Sequence, residues 1–217
     1  IYNSNFLNLY NLLNNQKENL IINSSFIKNV SNLIMSTNHY NLTVINSYFA
    51  DGTISTDIYD NSNVYLNNNW WGSNSKPTYK VANVDTNPET WLILTINPNI
   101  MEGLLKDITL TFKVTDGENI TNYTGQIYPR TFTMSSINAT LELTNGNIIN
   151  HINNPINVAK NATSYYVEAK VDNQTVNLTG NITHNITIIA KDIEFDYGNT
   201  TITVNVLFDN LPADNET

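Results

Sequence analysis

Asn67-Asn68-Asn69-Trp70, which opens the run NNNWWGSN (67–74), is the last of four segments that align without gaps. The others are Asn3-Ser4-Asn5-Phe6, Asn23-Ser24-Ser25-Phe26 and Asn46-Ser47-Tyr48-Phe49. Their aromatic positions lie 20, 23 and 21 residues apart. Just before each Asn stand Tyr2, Ile22, Ile45 and Leu66, and three before it Leu20, Thr43 and Val64. Each unit reads as a short alternating strand, an Asn-centred turn and a large aromatic residue. That period is the length of one coil of a parallel β-helix, whose coils stack at strand spacing. Leucine-rich repeats share the period but need Leu at fixed offsets, which this chain lacks.

The alignment predicts two inward columns, Ile22, Ile45, Leu66 and Phe6, Phe26, Phe49, Trp70. Asn at the bends suits the left-handed conformation and can hydrogen-bond to its copy in the next coil. Residues 32–35 and 53–58 are expected as second strands of their coils. Two before each repeat Asn stand Ile1, Ile21, Val44 and Tyr65, which strand alternation sends outward. They form either an apolar contact ridge for another chain or a glycan, or simply satisfy β-propensity. Four coils give a stack about 19 Å tall. The first has no cap, so further coils are expected before Ile1. The last is atypical, as a terminal repeat must be. There Trp70 continues the aromatic column and Gly72 takes a turn of positive φ. Trp71 either plugs the open end or offers a sugar-stacking platform.

After a polar, Pro-containing stretch (73–88) the pattern changes. Residues 91–96, 108–114, 131–134, 139–143, 165–171 and 175–178 alternate, with turn signals at Asp116-Gly117, Asn145-Gly146 and Asp172-Asn173. Short strands at this spacing predict an antiparallel sandwich of immunoglobulin type. The expected organisation is all-β: residues 1–75 parallel β-helix coils, 76–90 linker, 91–180 sandwich. Residues 181–217 form a second module's start or terminal strands.

Composition narrows the function classes. The 217 residues include no Cys, so thiolate metal sites and disulfides are unavailable. Three His in no ligand spacing make zinc unexpected. A net charge of −9 argues against unselective nucleic-acid binding. No apolar run is long enough to span a bilayer as a helix. Asn fills 41 positions, and the chain holds nine Lys but a single Arg. The first residue is not Met, so a processed protein or an excised fragment is expected.

Coils of the form N-L-x-I-x-N-S-x-F, the closing Asn67–Gly72 and then strands such as WLILTINPN (91–99) and AKVDNQTVN (169–177) resemble the adhesin-like cell-surface proteins of methanogenic archaea. YGNTTITVNVL (197–207) is similar to the opening of a following repeat. The resemblance implies a right-handed parallel β-helix followed by bacterial-type immunoglobulin-like repeats. It also implies surface display and adhesion, but no particular ligand. The expected role is non-catalytic adhesion or spacing at the cell exterior, with an unidentified glycan or protein of another cell as partner and no cofactor. A structural surface-layer or wall scaffold and a polysaccharide-acting β-helix enzyme are the alternatives.

Sequons bear on location. Ten N-x-[ST] triplets follow residue 100, where eighteen Asn and 21 Ser or Thr among 117 residues would by chance give about three. Asn119, Asn122, Asn138, Asn161, Asn173, Asn177, Asn181 and Asn185 are the acceptor candidates. The other reading is that Asn and Thr alternate on outward strand faces. Catalysis by a β-helix needs two carboxylates at a defined distance. Asp51, Asp57 and Asp60 sit in turns or polar loops without a Lys or Arg beside them, and neither they nor any loop signature makes a calcium site. No catalytic or metal-ligating residue is expected.

Overall fold

The computed structural model describes residues 1–9, 11–14, 19–28, 32–35, 41–50, 55–57, 63–77, 80–82, 88–101, 104–160, 162–182, 186–190, 204–208 and 211–212. The protein is all-β, with no helix among the described residues. Ten short strands come first: β1 (Asn5–Leu7), β2 (Asn11–Asn14), β3 (Leu20–Asn23), β4 (Phe26–Lys28), β5 (Asn32–Met35), β6 (Asn41–Ile45), β7 (Tyr48–Phe49), β8 (Ser55–Asp57), β9 (Asn63–Tyr65) and β10 (Lys80–Ala82). They form three sheets, β1-β4-β7, β3-β6-β9 and β2-β5-β8-β10, in which every pair is parallel. In the first two sheets, partners are 21 or 22 residues apart, so each repeat lies beside its copy.

This register corrects the gapless alignment. Asn5, Phe26, Tyr48 and Trp70 share one column, and Phe6, Ile27 and Phe49 the next. Phe26 and Trp70 therefore stand together, while Phe49 faces the opposite side of the same sheet. Likewise Ile22 pairs with Val44, and Asn23 with Ile45. The inward column is thus Ile22 and Val44 with Leu66 buried beside them, and Ile45 lies off it. The misleading feature is the doublet Tyr48-Phe49, which offers two aromatic residues for one position.

A polar column fixes the register. The backbone N–H of Ser4 donates to Ser25 Oγ (3.2 Å), that of Ser25 to Ser47 Oγ (3.1 Å) and that of Ser47 to Asn69 Oδ1 (2.8 Å). Each Ser hydroxyl donates to the carbonyl two residues earlier, as Ser47 does to Ile45. Ser25, Ser47 and Asn69 are fully buried, so an unmade bond here would cost the whole desolvation of a polar group. The preceding residues Asn3, Ser24, Asn46 and Asn68 all take positive φ, which Asn tolerates best among non-Gly residues. The expected left-handed bends are present, displaced by one residue in the second and fourth repeats.

The antiparallel part contains β11 (Trp91–Met101), β12 (Leu104–Thr115), β13 (Ile120–Asn122), β14 (Arg130–Ile137), β15 (Ala139–Leu141), β16 (Asn145–Ile148), β17 (His151–Val158), β18 (Ser164–Val171) and β19 (Gln174–Asn181). One sheet runs β11-β12-β17-β15 with β13 also on β12, and the other runs β16-β14-β18-β19. Alternate residues from both, including Leu94, Ile108, Leu110, Phe132, Ile148, Ile156 and Val167, make one core. Asn145-Gly146, expected as a turn, instead begins β16 opposite Thr133 and Phe132, and a Cβ at Gly146 would come within 2.9 Å of the Phe132 ring. β20 (Ile186–Ala190), β21 (Val204–Phe208) and β22 (Leu211–Pro212) form a separate antiparallel sheet.

The expected 76–90 linker is also corrected. Lys80–Ala82 continue the third parallel sheet against Ser55–Asp57. Backbone bonds from Asn68 to Thr90 and from Leu92 to Asn69 carry the repeat ladder straight into β11. Trp91-Leu92-Ile93-Leu94 is buried on both faces. Trp91 and Ile93 belong to the core of the parallel region, and Leu92 and Leu94 to that of the antiparallel module. A continuous apolar run is what a strand covered on both sides requires.

Candidate functional site

Two surfaces merit attention, the outward row of the sheet β3-β6-β9 and the joint between the parallel region and the antiparallel module. The outward row is Ile21, Thr43 and Tyr65, in direct register. Ile21 is 53% and Tyr65 50% exposed, whereas Val44 is 0% exposed and faces the core. The expected ridge is corrected accordingly: Thr43 takes the place assigned to Val44, and a Lys at Val44 would bury a charge among apolar side chains. Ile1, 45% exposed, aligns with Ile22 rather than Ile21, because the bridge between Tyr2 and Asn23 sets the offset.

Trp71 is 5% exposed and stacks on Phe49, with ring centroids 4.1 Å apart and planes 7° from parallel. It is no sugar-stacking platform. Nor does it plug an open end, since Trp91 and Ile93 of β11 cover the same core. Gly72 takes φ +80° as expected, and its carbonyl accepts the N–H of Asn173.

The joint is built from side chains that the repeat sends outward. Phe26 and Tyr48 stack with centroids 5.3 Å apart, and Tyr128 also stacks on Phe26 at 5.7 Å. Trp70 is fully buried inside the antiparallel core, edge-on to Phe112 at 5.0 Å. Its indole Nε1 donates to Asp172 Oδ2 (2.7 Å). The chain's single Arg, Arg130, forms a two-pronged ion pair with the same carboxylate, through Nε to Oδ2 and Nη2 to Oδ1. Its guanidinium lies 3.8 Å from the Tyr48 ring centroid, a cation–π contact worth about 0.5–2 kcal/mol. Planar, delocalised Arg suits this double use better than Lys.

Further bonds run along the same seam. Tyr123 donates to Asn46 Oδ1 (2.8 Å), Asn46 donates to Asn23 Oδ1 (2.9 Å), and Ser24 donates to the Gln126 carbonyl (2.7 Å). Burial holds the Tyr123 phenol well above its usual range. Asn74 binds both the N–H and C=O of Leu94 through its side-chain amide, filling the place of a neighbouring strand, and takes Gln174 on its own N–H. The sequence marks Asp172 only as part of a turn and does not single out Arg130, Tyr123 or Tyr128; the one available signal is that Arg occurs once.

Among the sequon asparagines, Asn119, Asn122, Asn138, Asn173, Asn177 and Asn181 are exposed. Asn161 and Asn185 lie outside the described residues, as do Asp51 and Asp60, and of Asp57 only the backbone is described. Asp116 accepts the Asn119 side-chain amide and the backbone N–H groups of Asn119 and Glu118, which lowers its pKa to about 2. This carboxylate holds its own turn. Among the described residues no helix could cross a membrane. Comparison with protein-family models, curated sequences and solved structures returns no match.

Proposed function

We propose that the chain is part of an extracellular adhesin-like protein. In this reading right-handed parallel β-helix coils are fused rigidly to an immunoglobulin-like sandwich, and the role is adhesive and load-bearing rather than catalytic. Three parallel sheets with partners one repeat apart support the helix, and right-handed crossovers are the rule for parallel strands. The orders β11-β12-β17 and β14-β18-β19 fit the A-B-E and C-F-G strands of an immunoglobulin-type fold; β15, beside β17, precedes β16, beside β14, which is the reverse of the chain order of D and C′ in that fold. The β20-β21-β22 sheet has the neighbour order of β11-β12-β13, which supports the start of a second such module.

The observation that carries the functional reading is the exchange of side chains at the joint. Trp70 enters the antiparallel core while Trp91 and Ile93 enter the parallel one. A hinge would need exposed, weakly packed residues there; this joint is suited to holding modules at a fixed angle, which favours display and multivalent contact. The outward row of Ile21, Thr43 and Tyr65 is the contact face. A glycan array probed with this chain tests it: binding that a Tyr65→Lys variant loses at unchanged melting temperature supports adhesion. Silence across the array favours the structural surface-layer or wall scaffold, which the same rigid joint equally serves. Release of oligosaccharides from acidic polysaccharides would instead support a catalytic role.

A further inference from the structure

We propose that Asn177 and Asn181 carry N-linked glycans, set in a row along the outer face of the edge strand β19. The proposal rests on the exterior location proposed above. Both residues open sequons, Asn177-Leu-Thr179 and Asn181-Ile-Thr183. β19 alternates strictly, so Thr175, Asn177, Thr179 and Asn181 all face solvent, while Val176 and Leu178 pack against the core. Each acceptor amide therefore stands beside open solvent, and the Asn177 sequon has its hydroxyl on the same face. Four residues of strand separate the two sites by about 13 Å, room enough for two sugar chains.

The fold sets Asn119 and Asn138 apart from the other candidates. The Asn119 amide is donated to Asp116 Oδ2 (3.0 Å), and the Asn138 amide to the Ser164 carbonyl (3.1 Å) at a bend of positive φ. No described residue hydrogen-bonds the side chains of Asn177 and Asn181. The strand also calls for cover. β19 makes ladder bonds only with β18; β11 lies alongside its other edge near Gln174 without pairing, so that edge has no ladder partner among the described strands. Its eight residues, QTVNLTGN, contain no charge and no Pro. Long uncharged edges invite pairing with other chains, and natural sheets block them with charge, Pro, bulges or covering groups. Bulky glycans here would supply that block.

The chemistry needs a polyprenyl-phosphate- or diphosphate-linked oligosaccharide and its membrane transferase as co-reactants. Asn Nδ2 attacks the anomeric carbon, forming the C–N bond. The bond from that carbon to the phosphate oxygen breaks, the lipid phosphate or diphosphate leaves with the electron pair, and one amide proton passes to a base.

The test uses protein from its native cells. Protease shaving of intact cells establishes location, and fragmentation mass spectrometry of the tryptic peptides Val114–Arg130, Thr131–Lys160 and Val171–Lys191 localises any sugar. The expected result is shaved peptides of this chain, glycan at Asn177 and Asn181, and bare Asn119 and Asn138. A surface-exposed chain with both β19 sites at unmodified mass overturns the glycan proposal and leaves the exterior reading intact. Equal occupancy at Asn119 or Asn138 overturns the selection by the fold. Failure of shaving to release any peptide of an abundant chain overturns the exterior reading. A native N177Q/N181Q double variant should lose two glycan masses and elute as a larger assembly; a monomer overturns the shielding role.

Discussion

The parallel region and the antiparallel module bury an Asn-rich chain by opposite means. In the parallel region each polar group meets its own copy one repeat away, so the same bond recurs through Ser4, Ser25, Ser47 and Asn69. In the antiparallel module the fully buried Asn154 is used once, its amide closing on both the N–H and C=O of Leu143. Repetition gives the first region a register that every repeat enforces. The second relies on one core into which both sheets send alternate residues. The joint belongs to both, because its aromatic column is a repeat position that happens to face the other module.

The largest effect should follow from Trp70→Ala, which breaks the distinction between the two regions. Large-to-small changes of a fully buried aromatic cost about 3–5 kcal/mol, and this one also leaves Asp172 without its indole donor. Urea unfolding should show both regions destabilised together. Phe49→Ala, of comparable size but packed on Trp71 within the parallel core, should act mainly on that region. Equal effects on both regions from both variants would show that they are one cooperative unit.

Ser47→Ala comes next. It strips the acceptor from the buried Ser25 N–H and should cost about 1–3 kcal/mol. Thr133→Ala, on the solvent face of β14, should stay within about 0.5 kcal/mol. Similar losses in the two variants, measured by thermal unfolding, would remove the special standing of the repeated polar column.

The Tyr123 bond to Asn46 sharpens the comparison through pH. Its phenol is raised in the folded state because burial penalises the charged form. A raised group contributes stability that is whole below its unfolded value, about 10, and is lost as pH climbs from there toward the folded value. Alkaline titration of the wild type should therefore show a falling limb above that pH. Tyr123→Phe should flatten the limb while costing about 1 kcal/mol at neutral pH. A limb of unchanged steepness would assign it to other tyrosines, such as Tyr165, which burial also raises.

Much of this was legible in the sequence, and the exceptions have physical causes. The repeat, the all-β class and most strands follow from spacing and alternation. The alignment slipped because it was anchored on bulk, whereas the structure is anchored on the buried Ser column, whose small side chains carry no hydrophobic signal. β17 was missed because Asn154 occupies an inward position and Pro155 breaks the pattern, so HINNPINV does not alternate visibly. The joint was hidden for a different reason. Arg130, Asp172 and Trp70 come together across 102 and 42 residues of sequence, and no local pattern reports such a meeting.

The smallest effect concerns the row on which adhesion is proposed. Tyr65 is half exposed, and its neighbours Thr43 and Ile21 complete an outward strip that contributes little to the core. Lys is a weaker strand former than Tyr, but the position is near the end of β9 and open to water, so Tyr65→Lys should change stability by no more than about 0.5 kcal/mol. Val44, one register step away across the same sheet, tolerates no such change, because its side chain points into the core. The pair thus separates the two faces of one strand ladder: a Tyr65→Lys melting curve that overlays the wild type, with binding gone, locates the contact on the outward row. A large drop in melting temperature would show that the row is part of the packed structure, and the adhesive surface would then have to be sought elsewhere on the molecule.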